Sequence, residues 1–355
     1  INQNIDNMQR HLGGNEMKLK KLVALSTVTI LSASMLVGCG DKSSQGNASE
    51  SIKVGMVADT GGINDESFNQ SAWEGLQKAE KDFGIEVKVI ESKQASEYLQ
   101  NMESLLDEDV DMVIGVGYTM KEDIEKQAKN YPDKQFVLID ETYDSIPENV
   151  TPILFRENEA AYLTGLVAGK MTENNNVGFI GGIQTPVISR FEYGYKAGVK
   201  EANKDCNVNV QYAGTFSDAA KGKSIANQMY GNGSDIILAA AGGTGLGSIE
   251  SAKEQNKYAI GVDRDQSDLA PKNVLTSALK KVNVGVYDTV KEFIEGKLKG
   301  GQEKVYGLKE DGVGIPETTK NLVPQDIIDY VNSMIEKIKN DEIKVPVNEE
   351  EYKSM

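Results

Sequence analysis

From residue 51 onward, short apolar runs alternate with amphipathic stretches. Ile52-Lys53-Val54-Gly55-Met56-Val57 reads as a strand running into Ala58-Asp59-Thr60-Gly61-Gly62. Over residues 67–83 the period changes, and Phe68, Ala72, Leu76, Ala79 and Phe83 share one helical face. Further strands are predicted at 87–90, 112–116 and 136–139, with a helix marked by Tyr98, Met102, Leu105 and Leu106. The pattern restarts with a helix over 159–171, whose Gly165, Ala168 and Gly169 permit close packing. A strand at 177–182, a helix at 190–202, a strand at 208–212, a helix at 223–230 and strands at 236–240, 259–262 and 274–279 follow. Strands separated by helices of this length indicate parallel βαβ units, so the chain is an α/β protein of two similar halves. The changeover falls near 152–158, without a Pro-rich linker.

In open α/β sheets, ligands bind beyond the carboxyl ends of the strands. The residues just after each apolar run are therefore the functional candidates: Asp59, Gly117-Tyr118, Asp140, Gly242-Gly243-Thr244-Gly245, Asp263-Arg264-Asp265 and Lys280. Two halves facing one another would enclose a polar cleft.

The first fifty residues are of another kind. Met17-Lys18-Leu19-Lys20-Lys21 is basic, residues 22–37 form an uncharged apolar run, and Leu36-Val37-Gly38-Cys39 closes it. This is the order of a secretory signal, too short for a membrane span. Its end resembles a bacterial lipobox, which implies that Cys39 is lipidated and becomes the new N-terminus. Residues 1–16 precede the signal, and Gly13-Gly14-Asn15-Glu16 fits the translation of a purine-rich ribosome-binding sequence, so Met17 is the expected start. Residues 39–51, rich in Ser, Gly and Asn, form a flexible tether. Lobe 1 is then expected over 52–155 with part of 282–314, and lobe 2 over 156–281 with part of 315–355. Residues 343–347 are expected to add an edge strand or to fray.

Charge and composition narrow the chemistry. Lys and Arg total 38 against 54 Asp and Glu, a net charge of −16. Nucleic acid is an unfavourable partner for such a chain, because phosphate binding needs clustered cations. The single His is His11, upstream of the expected start. A mature chain without His has no His-assisted nucleophile and no ordinary His-containing zinc site. With Cys39 acylated, Cys206 has no second thiol to pair with. Gly222-Lys223-Ser224 fails as a phosphate loop, since position 217 is Ser. Gly243-Thr244-Gly245-Leu246-Gly247 fails as a dinucleotide fingerprint, since Ser248 stands where the third Gly is needed.

Seven blocks then carry a resemblance: VADTGGINDESFNQSAWEG (57–75), FRENEAAYLTG (155–165), GFIGGI (178–183), SRFEYGYKAGV (189–199), AAAGGTG (239–245), IGVDRDQ (260–266) and VYGLKEDGVGI (305–315). Together they resemble the basic membrane protein family of purine nucleoside receptor A-like lipoproteins, the binding components of nucleoside ABC transporters. The resemblance implies a type I periplasmic-binding-protein fold, two Rossmann-like lobes with a purine nucleoside (inosine, guanosine or adenosine) between them. By position it makes Phe68 and Phe191 the aromatic clamp on the base and Asp140 a hydrogen-bonding partner of the base, with Asn69 and Asp59 beside it. Asp263 and Lys280 become the ribose contacts, and Gly243 a backbone contact where a side chain would block the sugar. Asn64, Asp65 and Arg190 stand near these positions. The chemistry is consistent: stacking contributes roughly 1–3 kcal/mol per base, and a carboxylate can accept from both ribose hydroxyls.

Each candidate has a plainer alternative. Phe68 and Phe191 lie where core residues lie, Asp59 can cap its turn, Asp140 and Asp263 can cap strand ends, and Lys280-Lys281 can be a solvated pair. Tyr118 and Trp73 read as structural. The expectation is a monomeric, lipid-anchored binding protein on the outer face of the membrane of a Gram-positive bacterium. It needs no cofactor or metal and delivers its ligand to an ABC permease with its own ATPase. Other readings are the same fold holding riboflavin, a sugar or an autoinducer, a signalling lipoprotein, and a nucleoside hydrolase using Asp59 and Asp140.

Overall fold

The structure is a computed structural model, and it describes residues 51–355. Cys39, the signal segment, the upstream residues and most of the tether lie outside the described residues. In chain order the elements are β1 (Lys53–Ala58), α1 (Phe68–Phe83), β2 (Glu86–Glu91), α2 (Tyr98–Asp107), β3 (Met112–Val116), α3 (Lys121–Asn130), β4 (Gln135–Ile139) and β5 (Val150–Phe155). Then come α4 (Glu157–Met171), β6 (Asn176–Gly181), α5 (Pro186–Ala202), β7 (Asn207–Tyr212), α6 (Ala219–Gly231), β8 (Ile236–Ala240), α7 (Gly243–Gln255), β9 (Tyr258–Asp263) and β10 (Val274–Lys280). The chain finishes with α8 (Val282–Ile294), β11 (Lys304–Tyr306), β12 (Val313–Gly314), α9 (Gln325–Lys339) and α10 (Glu349–Lys353).

Two six-stranded sheets result, ordered β11-β5-β4-β3-β1-β2 and β12-β10-β9-β8-β6-β7. All pairings are parallel except β10 with β12. Central strands such as β1, β3, β4 and β8 are buried along nearly their whole length, as strands covered by helices on both faces must be. The fold is thus the two-lobed α/β architecture expected from the alternation.

Among the described residues three connections cross between the lobes: β5 to α4, β10 to α8, and β11 to β12. They are tied to one another, since Arg156 N donates to Tyr306 O at 2.9 Å and Lys281 N to Gly312 O at 2.8 Å. Residues 304–306 therefore return to the first sheet, while 313–314 join the second. Helix α8 packs on α1 of the first lobe; a Cβ at Gly75 would stand 2.4 Å from the Asn283 carbonyl oxygen. In the second lobe α4 and α5 approach as closely, and a Cβ at Gly165 would stand 2.3 Å from the Tyr195 carbonyl oxygen. The small residues of α4 thus set a helix–helix distance that no side chain would allow.

Several boundaries differ from expectation. Strand β5 contains Pro152, which pairs with Leu138 inside the sheet. Residues 343–347 form no strand: Val345 is buried and its carbonyl accepts from Asn158 Nδ2 at 2.9 Å. Helix α5 begins at Pro186, with Thr185 capping it by accepting from Ile188 N. Among the described residues no helix is long and apolar enough to cross a membrane.

Candidate functional site

The strand ends deliver their side chains into one cavity between the lobes. It offers about 640 Å³ of empty space, part of it open to solvent. From the first lobe come Asp59 after β1, Asp65, Phe68 and Asn69 at the start of α1, Gly117 and Tyr118 after β3, and Asp140 after β4. From the second come Thr185, Val187, Ile188 and Phe191 around the start of α5, Phe216 after β7, Ala241 and Gly242 after β8, and Asp263 and Lys280 at the ends of β9 and β10.

Asp140 and Asp263 end their strands with φ of 73° and 63°. Positive φ is uncommon for a residue with a side chain and concentrates where structure over-determines it. The consequence here is that two carboxylates are turned off their strands into the same space. Asp140 pairs with Lys280 Nζ, while its other oxygen, Oδ1, is buried without a partner. Lys280 is 2% exposed, lies 3.7 Å from Glu157 Oε1 and stands over the Phe68 ring at 4.5 Å. Glu157, fully buried, is held from its other side by Arg190 at 2.7 Å. Behind the cavity therefore lies a buried chain Asp140–Lys280–Glu157–Arg190, two charges of each sign.

Burial alone would lower the Lys280 ammonium, yet Asp140, Glu157 and Asp263 together raise it, so it stays charged. Burial lifts Asp140 as well, against the pull of Lys280. Asp263 is pushed up to about 6 by burial, opposed by Lys280 and by the hydroxyl of Ser67, which donates to its Oδ2. Asp59 is raised by burial, although Gly61 N and Asn69 Nδ2 donate to its Oδ1 at 2.8 and 2.7 Å.

The predicted residues divide by role. Asp59, Asp65, Phe68, Asn69, Asp140, Phe191, Asp263 and Lys280 are all brought to the cavity wall. Asp65 also caps α1, accepting from the backbone N–H of Ser67, Asn69 and Gln70 at 2.9, 2.9 and 3.1 Å. Its carboxylate is therefore committed to the helix end. Asn64 is exposed and stands off the wall. Gly243 does not line the cavity either; it opens α7, and the preceding Gly242, at φ 53°, is the wall residue. Arg190 acts behind the wall through Glu157. Tyr118, read as structural, lines the cavity.

Sequence reasoning missed Phe216 and Glu157. Phe216 sits in the loop after β7, and its ring occupies the space over Gly182, where a Cβ would come within 2.2 Å of it. An aromatic shortly past a strand end, with a glycine pair ending the neighbouring strand, was the available signal. Glu157 gave none, being one acid in an acidic helix start. Among the described residues no group of three or more His, Cys, Asp or Glu side chains is arranged to hold a metal ion.

Among the described residues the wall thus carries three phenylalanines and four carboxylates with a single ammonium. Such a lining suits a neutral ligand with an aromatic face and hydrogen-bond donors, and it repels phosphate.

Comparisons with known proteins agree over most of the chain. The family model for PnrA-like ABC transporter substrate-binding proteins (Bmp) matches residues 52–349. The "CD4+ T-cell-stimulating antigen" of Listeria innocua is 40% identical over 354 residues, spanning 92% of this chain and 99% of the relative. The "ABC transporter nucleoside-binding protein BmpA" of Lactococcus lactis subsp. cremoris is 38% identical over 320 residues, 83% of this chain and 91% of that one. Among solved structures, an ABC transporter solute-binding protein of Aeropyrum pernix superposes with a TM-score of 0.79 at 28% identity, covering 85% of this chain and 96% of its own.

Proposed function

This chain belongs to the Bmp family of PnrA-like ABC-transporter substrate-binding proteins, and on that premise we propose that it captures purine nucleosides by closing its lobes around them. The observation that carries the reading is the pairing of Phe68, Phe191 and Phe216 with carboxylates at the strand ends of both lobes. The phenylalanines offer the base a stacking surface. Asp140, with its unpartnered Oδ1, accepts from an N–H of the base. Asp263 accepts from the ribose hydroxyls, with Lys280 donating beside it. Four carboxylates against one ammonium disfavour nucleotides, because phosphate would meet net negative charge. The name of the Lactococcus relative points the same way.

Closure follows from differential contact. The open form exposes both half-sites, and the ligand favours the closed form because only there do both lobes touch it. Lipidation of Cys39 would hold the body at the outer membrane surface, and the closed form would present itself to an ABC permease. The test is mass spectrometry of the ligand released when the purified protein is denatured. A purine nucleoside supports the reading; a flavin, sugar or free base in its place overturns it.

A further inference from the structure

Among the described residues, the two lobes also meet along a seam beside the cavity. Its first-lobe side is residues 66–74, the approach to α1 and its first turns. Its second-lobe side is residues 263–266, just after β9. Innermost, the buried Ser67 hydroxyl donates to Asp263. Next, Gln266 Nε2 donates to the Glu66 carbonyl oxygen at 2.8 Å. Outermost, Arg264 spans two carboxylates, with Nη1 2.7 Å from Glu66 Oε2 and Nη2 2.8 Å from Glu74 Oε1.

Both sides are built in advance. Gln266 is fixed on its own lobe, where its N–H donates to Ser277 Oγ at 3.1 Å and its Oε1 accepts from Val262 N at 3.0 Å. On the facing lobe, Gln70 accepts from Glu66 N and donates to Glu74 Oε1, each at 3.2 Å. Glu66 itself has a φ of 51°, which turns its carbonyl and carboxylate towards the seam. Arg264 makes no other ion pair among the described residues. Its guanidinium is matched to a pair of acids on the facing lobe.

We propose that Arg264 is the lock on the closed form, a positioning residue that sets how long a ligand is retained without touching it. The inference rests on the reading of the cleft as a ligand site that works by closure. Because the bonds of Arg264 form whenever the lobes meet, they favour closure by the same amount for every ligand. Residues of the wall discriminate between ligands; Arg264 changes retention alone. The pairs are partly exposed, with side chains 25%, 43% and 39% accessible, so salt screens them.

The test uses the full chain in three forms: wild type, Arg264→Ala, and the charge swap Arg264→Glu with Glu66→Lys and Glu74→Lys. Release of inosine and of guanosine is followed by stopped flow. In parallel, single-molecule energy transfer between dyes at Lys81→Cys and Lys253→Cys, in a Cys39→Ser, Cys206→Ser background, reads the closed-state lifetime without ligand. We expect Arg264→Ala to release both nucleosides about fivefold faster, as two partly exposed ion pairs warrant. Capture rates and melting temperature stay unchanged. The swap restores slow release, and added salt shortens the closed lifetime in wild type but not in Arg264→Ala. Equal release rates, or a factor that differs between the two nucleosides, overturns the lock. Should wild type bind neither nucleoside, the nucleoside reading falls, and the lock is decided by the ligand-free lifetime: an unchanged value in Arg264→Ala overturns it.

Discussion

Replacing Lys280 with Met isolates the buried charge chain behind the cavity. Methionine keeps most of the aliphatic stem and its packing against Phe68 and Phe155, whose rings lie 4.5 and 5.4 Å from the ammonium. What disappears is the cation. Glu157 retains Arg190 at 2.7 and 3.4 Å, so it is not stranded. Asp140 is stranded, because its Oδ1 has no partner and Lys280 is the only ion pair of its Oδ2 among the described residues. Removing one member of a buried ion pair costs about 3–5 kcal/mol. The carboxylate can escape that cost by taking a proton. Asp140 is already raised by burial, and loss of the Lys280 cation that pulls it down raises it further.

The sign follows from that rise. A carboxyl raised in the folded state binds its proton more tightly there, so the variant loses stability as pH climbs above about 4, the unfolded value. Urea unfolding of wild type and Lys280→Met between pH 4.5 and 7.5 should show two curves that lie close at the acid end and separate by about 4 kcal/mol at the neutral end. Adding Asp140→Asn to Lys280→Met should recover most of the difference at pH 7.5. A loss that is the same at every pH, or a double variant as unstable as the single one, would refute the reasoning.

Other consequences are simpler to read. With Asp263 pushed up to about 6, inosine affinity should weaken as pH falls through that value and the carboxylate stops accepting from both ribose hydroxyls; calorimetry of Asp263→Asn should give weak binding with a flat profile. Phe68→Ala and Phe191→Ala should each cost about 1–3 kcal/mol of binding, with nucleoside and free base affected alike if stacking is the contact. Asn64→Ala, exposed and off the cavity wall, should leave affinity within about twofold, against the loss of an order of magnitude or more expected at the wall.

The architecture was legible because buried parallel strands are written as uninterrupted apolar runs. The run 236–240 coincides with β8, and the others agree to within a few residues. Elements that broke the pattern were lost. Strand β5 runs into the changeover between the halves, and it accommodates Pro152, whose ring needs only that no neighbour require its N–H. Strands β11 and β12, of three and two residues, are too short to carry a period, and they are set by the crossovers they complete. The start of α5 was placed late because the signals at Thr185 and Pro186 are a cap and a first-turn proline, not part of the apolar face.

At the site, strand ends gave up their residues readily: Asp59, Asp140, Asp263 and Lys280 all follow apolar runs. Residues whose role depends on a partner distant in sequence did not. Glu157 matters because Lys280 and Arg190 reach it from opposite sides, and Arg264 because Glu66 and Glu74 lie across the seam. No local pattern encodes such pairings; only the three crossovers bring them together. Gly243 opens α7, and that helix start puts the preceding Gly242 on the cavity wall.

The account is tested most directly by calorimetric titration of the purified protein with inosine, guanosine, adenosine, hypoxanthine, ribose and inosine monophosphate. It predicts saturable one-to-one binding of at least one nucleoside, weaker binding of its free base, and none of ribose or the monophosphate. Saturable binding of the monophosphate in preference to inosine, or no binding of any of the three nucleosides, would contradict it.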